Sequence, residues 1–503
     1  MERFDRRTLL ARAGRFAVGT GVALAVGGGV GAAWAAAERR IRQLRKGFKG
    51  DVLVPGNAGY RNARRLFNTR FDAVRPTAVA LCETVADVRK AVRWGRRHNV
   101  RMAARSGGHS YGGYSTTRGL IVDVGRLNRI RVDVAAGTAR VGAGARLIDV
   151  YAALWEQGVT IPAGSCPTVG IAGLALGGGH GLSSRKLGLT CDNLLGATMV
   201  TAAGKRVRCS DTQNDDLYWA LRGGGGGNFG IVTELTFRVH PVSDVTTFHI
   251  QWPWDQAAMV VEAWQAFAPH APDELFSLLG LSAGGAGGPR VGSSGQFFGT
   301  EGELTSLLEP LTSVGTPTTV RVVPRTYMEA VFHWANCGSL ESCRPGGASA
   351  GATRSPFRAK SDYGKKPMSA AGIQTMLEWV ERRQRAQKLA GGGITLDSYG
   401  GAINRVAKGS TAFVHRDALF SMQYLAFWNR GDPAPVVDAN RRWIRRFHRA
   451  MRPFVSGAAY QNYIDPDLKG WKRAYYGSNY RRLVEVKRKY DPDNVFRFRQ
   501  SIR

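Results

Sequence analysis

Three glycine-rich clusters constrain this chain more than any other feature. The first reads RSGGHSYGGYS, from Arg105 to Ser115. The second reads GSCPTVGIAGLALGGGHG, from Gly164 to Gly181, and the third RGGGGGNFGIVTEL, from Arg222. Glycine reaches backbone conformations closed to other residues and lets another atom come close to the main chain. The first cluster carries His109 and the second Cys166. Histidine serves as nucleophile, base or ligand. Read alone, any one cluster is satisfied by a turn with a polar tip. Read together, loops far apart in sequence can wrap one large anionic molecule with their backbone N–H groups. A histidine and a cysteine in that setting suggest a molecule held covalently at two points.

A nicotinamide dinucleotide fold does not fit these clusters. It needs a strand before the glycines, a helix after them and an acidic residue ~20 positions on. The 64 glycines follow no period, which excludes collagen-like and low-complexity chains. At 503 residues and 44% hydrophobic, the chain has room for two or three domains and a sizeable core. The net charge of +32 raises the question of nucleic acid. There is no zinc-finger spacing, no basic-region heptad and no aromatic-basic stripe, and the arginines are spread along the chain. The charge reads as a solvated basic surface, with no specific nucleic-acid partner. None of the six cysteines forms a CxxC pair, so no metal site is expected. Cys337 and Cys343, in NCGSLESC, suit a disulfide in an exported protein.

The first residues read MERFDRRTLLARAGRF, followed by a mild Ala/Gly/Val run from Ala17 to Ala33. Arg6-Arg7 followed by Leu9-Leu10 resembles a twin-arginine export signal, with small-x-small cleavage candidates near Ala33–Ala37. An uncleaved anchor helix is the alternative, although so many glycines and alanines anchor weakly. The expectation is an exported protein that engages the twin-arginine machinery and keeps no stable membrane span after processing. That route carries folded proteins, which makes a cofactor worth seeking.

The organisation reads as a signal at 1–37, a basic connector at 38–70, an α+β domain at 71–245, a second domain at 246–450 and a C-terminal segment at 451–503. In the first domain, PTAVALCE and VRMAARSGG read as strands, and TVADVRKAVRWGRRHN as a helix with Thr84 as its cap. GLIVDVGRLNRIRVDVAAGTARVGAGA gives three short strands and LIDVYAALWEQG an amphipathic helix. In the second, GIQTMLEWVERRQRAQKLAG reads as a helix. ITLDSYGGAINRV and ALFSMQYLAFW read as a strand pair in an antiparallel sheet. The last segment holds YQNYIDPDL, a tyrosine-rich helix and KYDPDNVF.

At these residues the chain resembles the berberine bridge enzyme-like flavoprotein oxidases of the vanillyl-alcohol oxidase fold. RSGGHSYGG, GSCPTVGIAG, GLTCDNLLGATMVTAAG, LRGGGGGNFGIVT, FRAKSDY, YQNYIDPDL and KYDPDNVF carry the resemblance, in order, from about residue 70 to the end. It implies a two-part PCMH-type FAD-binding domain, built from the first half and the C-terminal segment, with a substrate domain inserted between. It implies FAD bonded through its 8α carbon to His109 and its 6 carbon to Cys166. Arg105, Ser106, Gly107, Gly108, His109 and Ser110 would cradle the pyrophosphate. Further cofactor contacts are implied at Val169, Gly170, Gly173, Asp192, Asn228, Gly230, Ile231 and Asn462. His180 stands where an aromatic or aliphatic residue is expected; it either faces the cofactor or packs, and packing is the preferred reading.

The chemistry implied is hydride transfer from a substrate carbon to the flavin while a base removes a proton. Tyr460 and Tyr463 match the tyrosines of the family's pocket. Gln423 occupies the strand position of the alkaloid-cyclising member's catalytic glutamate, which argues against ring closure and for oxidation of a hydroxylated small molecule. Leu187 replaces a tyrosine common in plant members. Asp397 is a second carboxylate candidate. Val169, at the family's oxygen-access position, implies O2 as acceptor and hydrogen peroxide as product. The alternatives are a dehydrogenase with another acceptor and a non-catalytic basic surface-binding protein. Binding that salt abolishes, with no flavin present, would mark the latter.

Overall fold

The computed structural model describes residues 36, 38–284, 287–347, 352–386 and 389–503. The expected signal and its cleavage sites fall almost wholly outside them. Residues 38–45 are helical. Phe48–Arg503 form one compact unit, distinct from Met1–Gly47.

The first sheet contains β1 (Asp51–Leu53), β2 (Ala78–Leu81), β3 (Met102–Arg105) and β4 (Leu120–Asp123), in the order β1-β2-β4-β3. β4 runs parallel to both β2 and β3, whereas β1 is antiparallel to β2. Between β2 and β3 lies the helix Val85–Arg97, capped as expected. Thr84 Oγ1 accepts from Asp87 N, and the Asp87 carboxylate accepts from Thr84 N. This reciprocal box satisfies two N–H groups that a helix end leaves unpaired. Val88, Ala91 and Val92 recur at helical spacing and are buried.

The second sheet is antiparallel. Along the chain come β5 (Ile130–Asp133), β6 (Thr138–Gly142), β7 (Val159–Thr160), β8 (Leu194–Thr201), β9 (Arg206–Ser210), β10 (Gly230–Arg238) and β11 (His240–Pro241). The sheet order is β5-β6-β10-β8-β9, and β7 pairs with β11 as a separate ribbon.

The third sheet has seven strands: β12 (Val245–Trp252), β13 (Leu275–Ala283), β14 (Arg290–Phe297), β15 (Thr319–Arg325), β16 (Phe357–Gly364), β17 (Gly392–Ser398) and β18 (Phe420–Phe427). Their order is β15-β12-β14-β13-β17-β18-β16, antiparallel throughout. Helices Ala257–Phe267, Ala370–Arg385 and Ala434–Met451 share one core with this sheet. Side chains alternate across a strand. Ile394, Leu396, Met422 and Tyr424 therefore enter the helix-covered core. Thr395, Asp397, Ser421 and Gln423 fall on the opposite face, with Asp397 beside Ser421 and Gln423 beside Thr395.

The architecture is α+β, as expected, and the strand pair forms. GGAINRV, however, is not strand: the chain turns at Gly400 (φ +103°) and Gly401 (φ +53°) and enters the short helix Gly401–Arg405. The tyrosine-rich helix is two helices, Trp471–Tyr476 and Tyr480–Tyr490, separated at Gly477 (φ +49°). The C-terminal segment closes over the third glycine cluster. Tyr476 OH donates to Gly224 O (3.1 Å), Lys487 Nζ to Asn228 O (2.7 Å) and Ile502 N to Asn228 Oδ1 (2.9 Å). Cys337 and Cys343 are joined in a disulfide. No helix among the described residues is long and apolar enough to cross a membrane, and no metal-binding cluster occurs among them.

Candidate active site

A cleft of about 770 Å³ runs along the glycine loops, bounded by Arg105–Gly119, by Val169, Gly170 and Gly173, by Gly230 and Ile231, and by Asn462 and Tyr463. Its volume lies within the roughly 300–1,000 Å³ range of cofactor sites. Two loops meet at Gly107 and Gly170. A Cβ on Gly107 would sit 2.1 Å from Gly170 N, and one on Gly170 would sit 2.1 Å from Ser106 Oγ. Both positions therefore admit only glycine, and both loops present bare main chain to the cleft. A Cβ on Gly173 would meet nothing within 4 Å. Gly108 takes φ +73°, the left-handed region that glycine enters freely.

The polar side chains of the first loop hold its shape. Ser106 Oγ donates to Ala143 O (2.6 Å), and Ser110 Oγ accepts from Tyr114 N (3.1 Å). The Arg105 guanidinium is buried and donates to backbone carbonyls of Ala63, Arg64 and Ser115, 3.7 Å from Asp123. Burial lowers its pKa to about 10. Arg105 thus fixes the loop from behind, and its main chain, not its charge, faces the cleft.

His109 lines this cleft, and Cys166 adjoins it through their shared neighbour Thr168. His109 stacks on Phe67 (4.1 Å between centroids), and its Nε2 lies 2.9 Å from Thr168 Oγ1. Burial, then the Arg146 charge, depress it to about 3, so the ring is neutral at physiological pH. Neutral imidazole is the nucleophilic form. Cys166 is a free, half-buried thiol. Burial pushes its pKa up, opposed by hydrogen bonds from Thr168 and Val169. Thr168 therefore touches both residues.

Deeper in, a second set gathers. Gln423 Nε2, from β18, donates to Tyr111 OH (2.9 Å). Tyr111 stacks on Tyr463 (5.4 Å between centroids). Tyr463 OH lies 3.2 Å from His180 Nε2. That same nitrogen is 4.0 Å from Asp397 Oδ2 on β17. Ser421 Oγ donates to Asp397 (3.3 Å). Asp397 is buried, and desolvation raises its carboxyl to about 7. Tyr460 is buried alongside, and its oxygen accepts from Gly179 N (2.8 Å) and Asn462 Nδ2 (3.0 Å). Burial raises both tyrosines far above the usual phenol value.

The structure thus brings together His109, Tyr463, Gln423 and Asp397, which lie far apart in sequence. Asn462 also anchors its segment, donating to Leu174 O (2.9 Å). Three expected cofactor contacts, Cys166, Asp192 and Asn228, lie off the cleft wall. Both oxygens of Asp192 are taken by the Arg416 guanidinium (2.6 and 2.8 Å), a buried pair that fastens the chain after the second cluster. Asn228 donates to Gly224 O and Gly225 O and so holds the third cluster's turn. Leu187 ends the helix Ser184–Leu187, half-buried. His180 does pack, 5.1 Å from the Tyr460 ring, but its Nε2 also faces Tyr463 and Asp397. Tyr111 was not expected. Its signal was its place two residues after His109, in the glycine-rich loop.

Comparison with known proteins identifies the family. Residues 76–210 match the FAD binding domain family, and residues 459–503 the family described as berberine and berberine like. The FAD-linked oxidoreductase YgaK of Bacillus subtilis (strain 168) is 36% identical over 458 residues, covering 90% of this chain and 96% of that protein. A chitooligosaccharide oxidase of Gibberella zeae is 33% identical, over 89% of this chain and 91% of its own. Among solved structures, Physcomitrella patens BBE-like 1 superposes with a TM-score of 0.84 at 35% identity, covering 92% of this chain and 99% of that one. The two matched segments are the ones that fold together around the glycine cleft. With relatives of this identity aligned along nearly its whole length, the chain belongs to the berberine bridge enzyme-like family of FAD-linked oxidoreductases.

Proposed function

We propose that the chain is an exported oxidase that carries FAD bonded to both His109 and Cys166, oxidises a CH–OH group of a small polyhydroxylated molecule such as a sugar, and passes the electrons to O2 to give H2O2. The observation that carries this reading is the cleft wall itself. Bare main chain at Gly107 and Gly170, a neutral His109 and a nearby thiol adjoin a half-buried Tyr111–Gln423–Tyr463 group with the buried Asp397 behind it.

These residues fit FAD. The main chain of Ser106–Ser110 and of Val169–Gly173 would face its pyrophosphate, with Gly230, Ile231 and Asn462 along its length. FAD, when bound, supplies the two-electron acceptor for the hydride that leaves the carbinol carbon. The remaining chemistry belongs to the chain. As the carbon loses hydride, the hydroxyl must lose its proton, and a carbonyl forms. Tyr463, on the cleft wall, is placed to meet that hydroxyl. Tyr111, whose oxygen accepts from Gln423, keeps its own proton to donate to the developing alkoxide. Asp397, held near 7, is a carboxylate poised to receive a proton at neutral pH.

The substrate class rests on this polar grouping and on the chitooligosaccharide oxidase among the relatives. The acceptor rests on Val169 at the cleft. Export rests on Arg6-Arg7 and is consistent with the Cys337–Cys343 disulfide. The test is a panel of mono- and oligosaccharides and simple alcohols, with peroxide release and O2 consumption read together. Peroxide equal to product supports the oxidase. Substrate-dependent bleaching of the flavin that only an artificial acceptor reverses supports a dehydrogenase instead.

A further inference from the structure

His180 lies at the centre of the deeper group, yet the reaction as described gives it no task. It is buried, with 7% of its side chain exposed. Its Nε2 is the one atom close to two candidate bases: Tyr463 OH at 3.2 Å and Asp397 Oδ2 at 4.0 Å. Its Nδ1 is buried with no hydrogen-bond partner among the described residues. An orphaned ring nitrogen is costly in a core, so an aromatic residue would pack here at lower cost. Tyr463 is on the cleft wall, but Asp397 is not. The carboxylate best suited to take a proton therefore lies behind the residue that meets the substrate.

We infer that His180 relays the substrate's hydroxyl proton from Tyr463 to Asp397. This deepens the proposed reaction and rests on it. In the resting state Nδ1 carries the ring hydrogen and Nε2 accepts from Tyr463 OH. As the substrate O–H bond breaks, its proton bonds to the Tyr463 oxygen. The Tyr463 proton passes to Nε2, and a proton leaves Nε2 for Asp397 Oδ2. The ring ends neutral, and Asp397 ends protonated. No electrons move in these steps. A relay need not hold the proton, so a ring whose burial depresses its pKa to about 4 suits the part. The titratable groups around it are Asp397, Tyr399, Tyr460 and Tyr463. Cys191 and the Arg185 guanidinium, which donates to Tyr399 O, lie one layer further out. The tyrosines are all raised by burial, which leaves Asp397 to titrate near neutrality.

The test compares holoenzyme with His180→Gln and His180→Phe. Glutamine can hydrogen-bond to Tyr463 but cannot accept a proton and pass it on. The relay predicts that both variants reduce flavin about 10²-fold more slowly. Both should also lose the rise in rate near pH 7, with flavin content and melting temperature unchanged in the glutamine variant. A glutamine variant with wild-type rate and pH profile would overturn the relay and leave only a positioning hydrogen bond. A second arm needs no substrate. The infrared carboxyl band that Asp397→Asn removes should titrate at lower pH in His180→Phe, because the Nε2 lone pair that faces Asp397 favours the protonated carboxyl and phenylalanine offers none. An unmoved midpoint would overturn the His180–Asp397 link, whatever the substrate panel finds.

Discussion

In the proposed reaction Asp397 couples burial to reactivity. Desolvation disfavours its charge and lifts it to about 7, opposed by the Ser421 hydroxyl. A base works only when ionised. Flavin reduction should therefore rise with pH through about 7 and level off above it. Asp397→Asn should remove that step and slow reduction by on the order of 10²–10⁴-fold, read by anaerobic stopped flow. Stability runs the other way. The fold favours the protonated form, so Asp397 contributes most below the usual carboxylate range and loses that contribution as pH rises through about 7. Asp397→Asn should accordingly raise the melting temperature more at pH 8 than at pH 4, and an equal shift at both would contradict the assignment. His109 and Cys166 were legible because glycines on either side mark them as special. Tyr111 and His180 were not, because their roles depend on partners such as Gln423, 312 positions from Tyr111. No local pattern encodes that approach.

The glycine loops act as elements with one permitted spacing. Gly107→Ala would place a methyl 2.1 Å from Gly170 N, which belongs to backbone and cannot swing aside. The loops must part, at a cost of about 1–3 kcal/mol. The flavin-to-protein absorbance ratio should fall together with the melting temperature. Gly173→Ala, whose methyl meets nothing and which sits in the helix Ile171–Leu176, should leave the melting temperature unchanged or slightly raised. Thr84→Ala removes one hydrogen bond of the capping box and should cost ~1 kcal/mol in urea unfolding. That helix was readable because cap, spacing and apolar stripe all agree. GGAINRV was misread as a continuation of the strand before it, whereas two glycines at positive φ redirect the chain.

At the level of the whole molecule, the chain's far parts are fastened by buried polar pairs. Arg416, 224 positions from Asp192, closes on both its oxygens. Arg416→Met would strand a buried carboxylate and should cost about 3–5 kcal/mol in denaturant unfolding. A loss below 1 kcal/mol would mean that the pair does not fasten the fold. Asp192 entered as a cofactor contact through the family resemblance; its partner Arg416 lies beyond any sequence window. The return of the C-terminal segment to the glycine loops was legible only through the family resemblance, since Ile502 reaches Asn228 across 274 positions. The inserted sheet's seven strands were partly legible. Their alternation was visible in SMQYLAFW, but the strand order was not. Everything proposed about catalysis depends on a flavin fixed between two of those loops. The decisive measurement is an absorption spectrum of acid-precipitated protein, for the wild type, Cys166→Ala and His109→Ala. Double attachment predicts yellow pellets for all three, with each variant's spectrum shifted from the wild type's because one bond remains. Flavin released into the wild-type supernatant would contradict it.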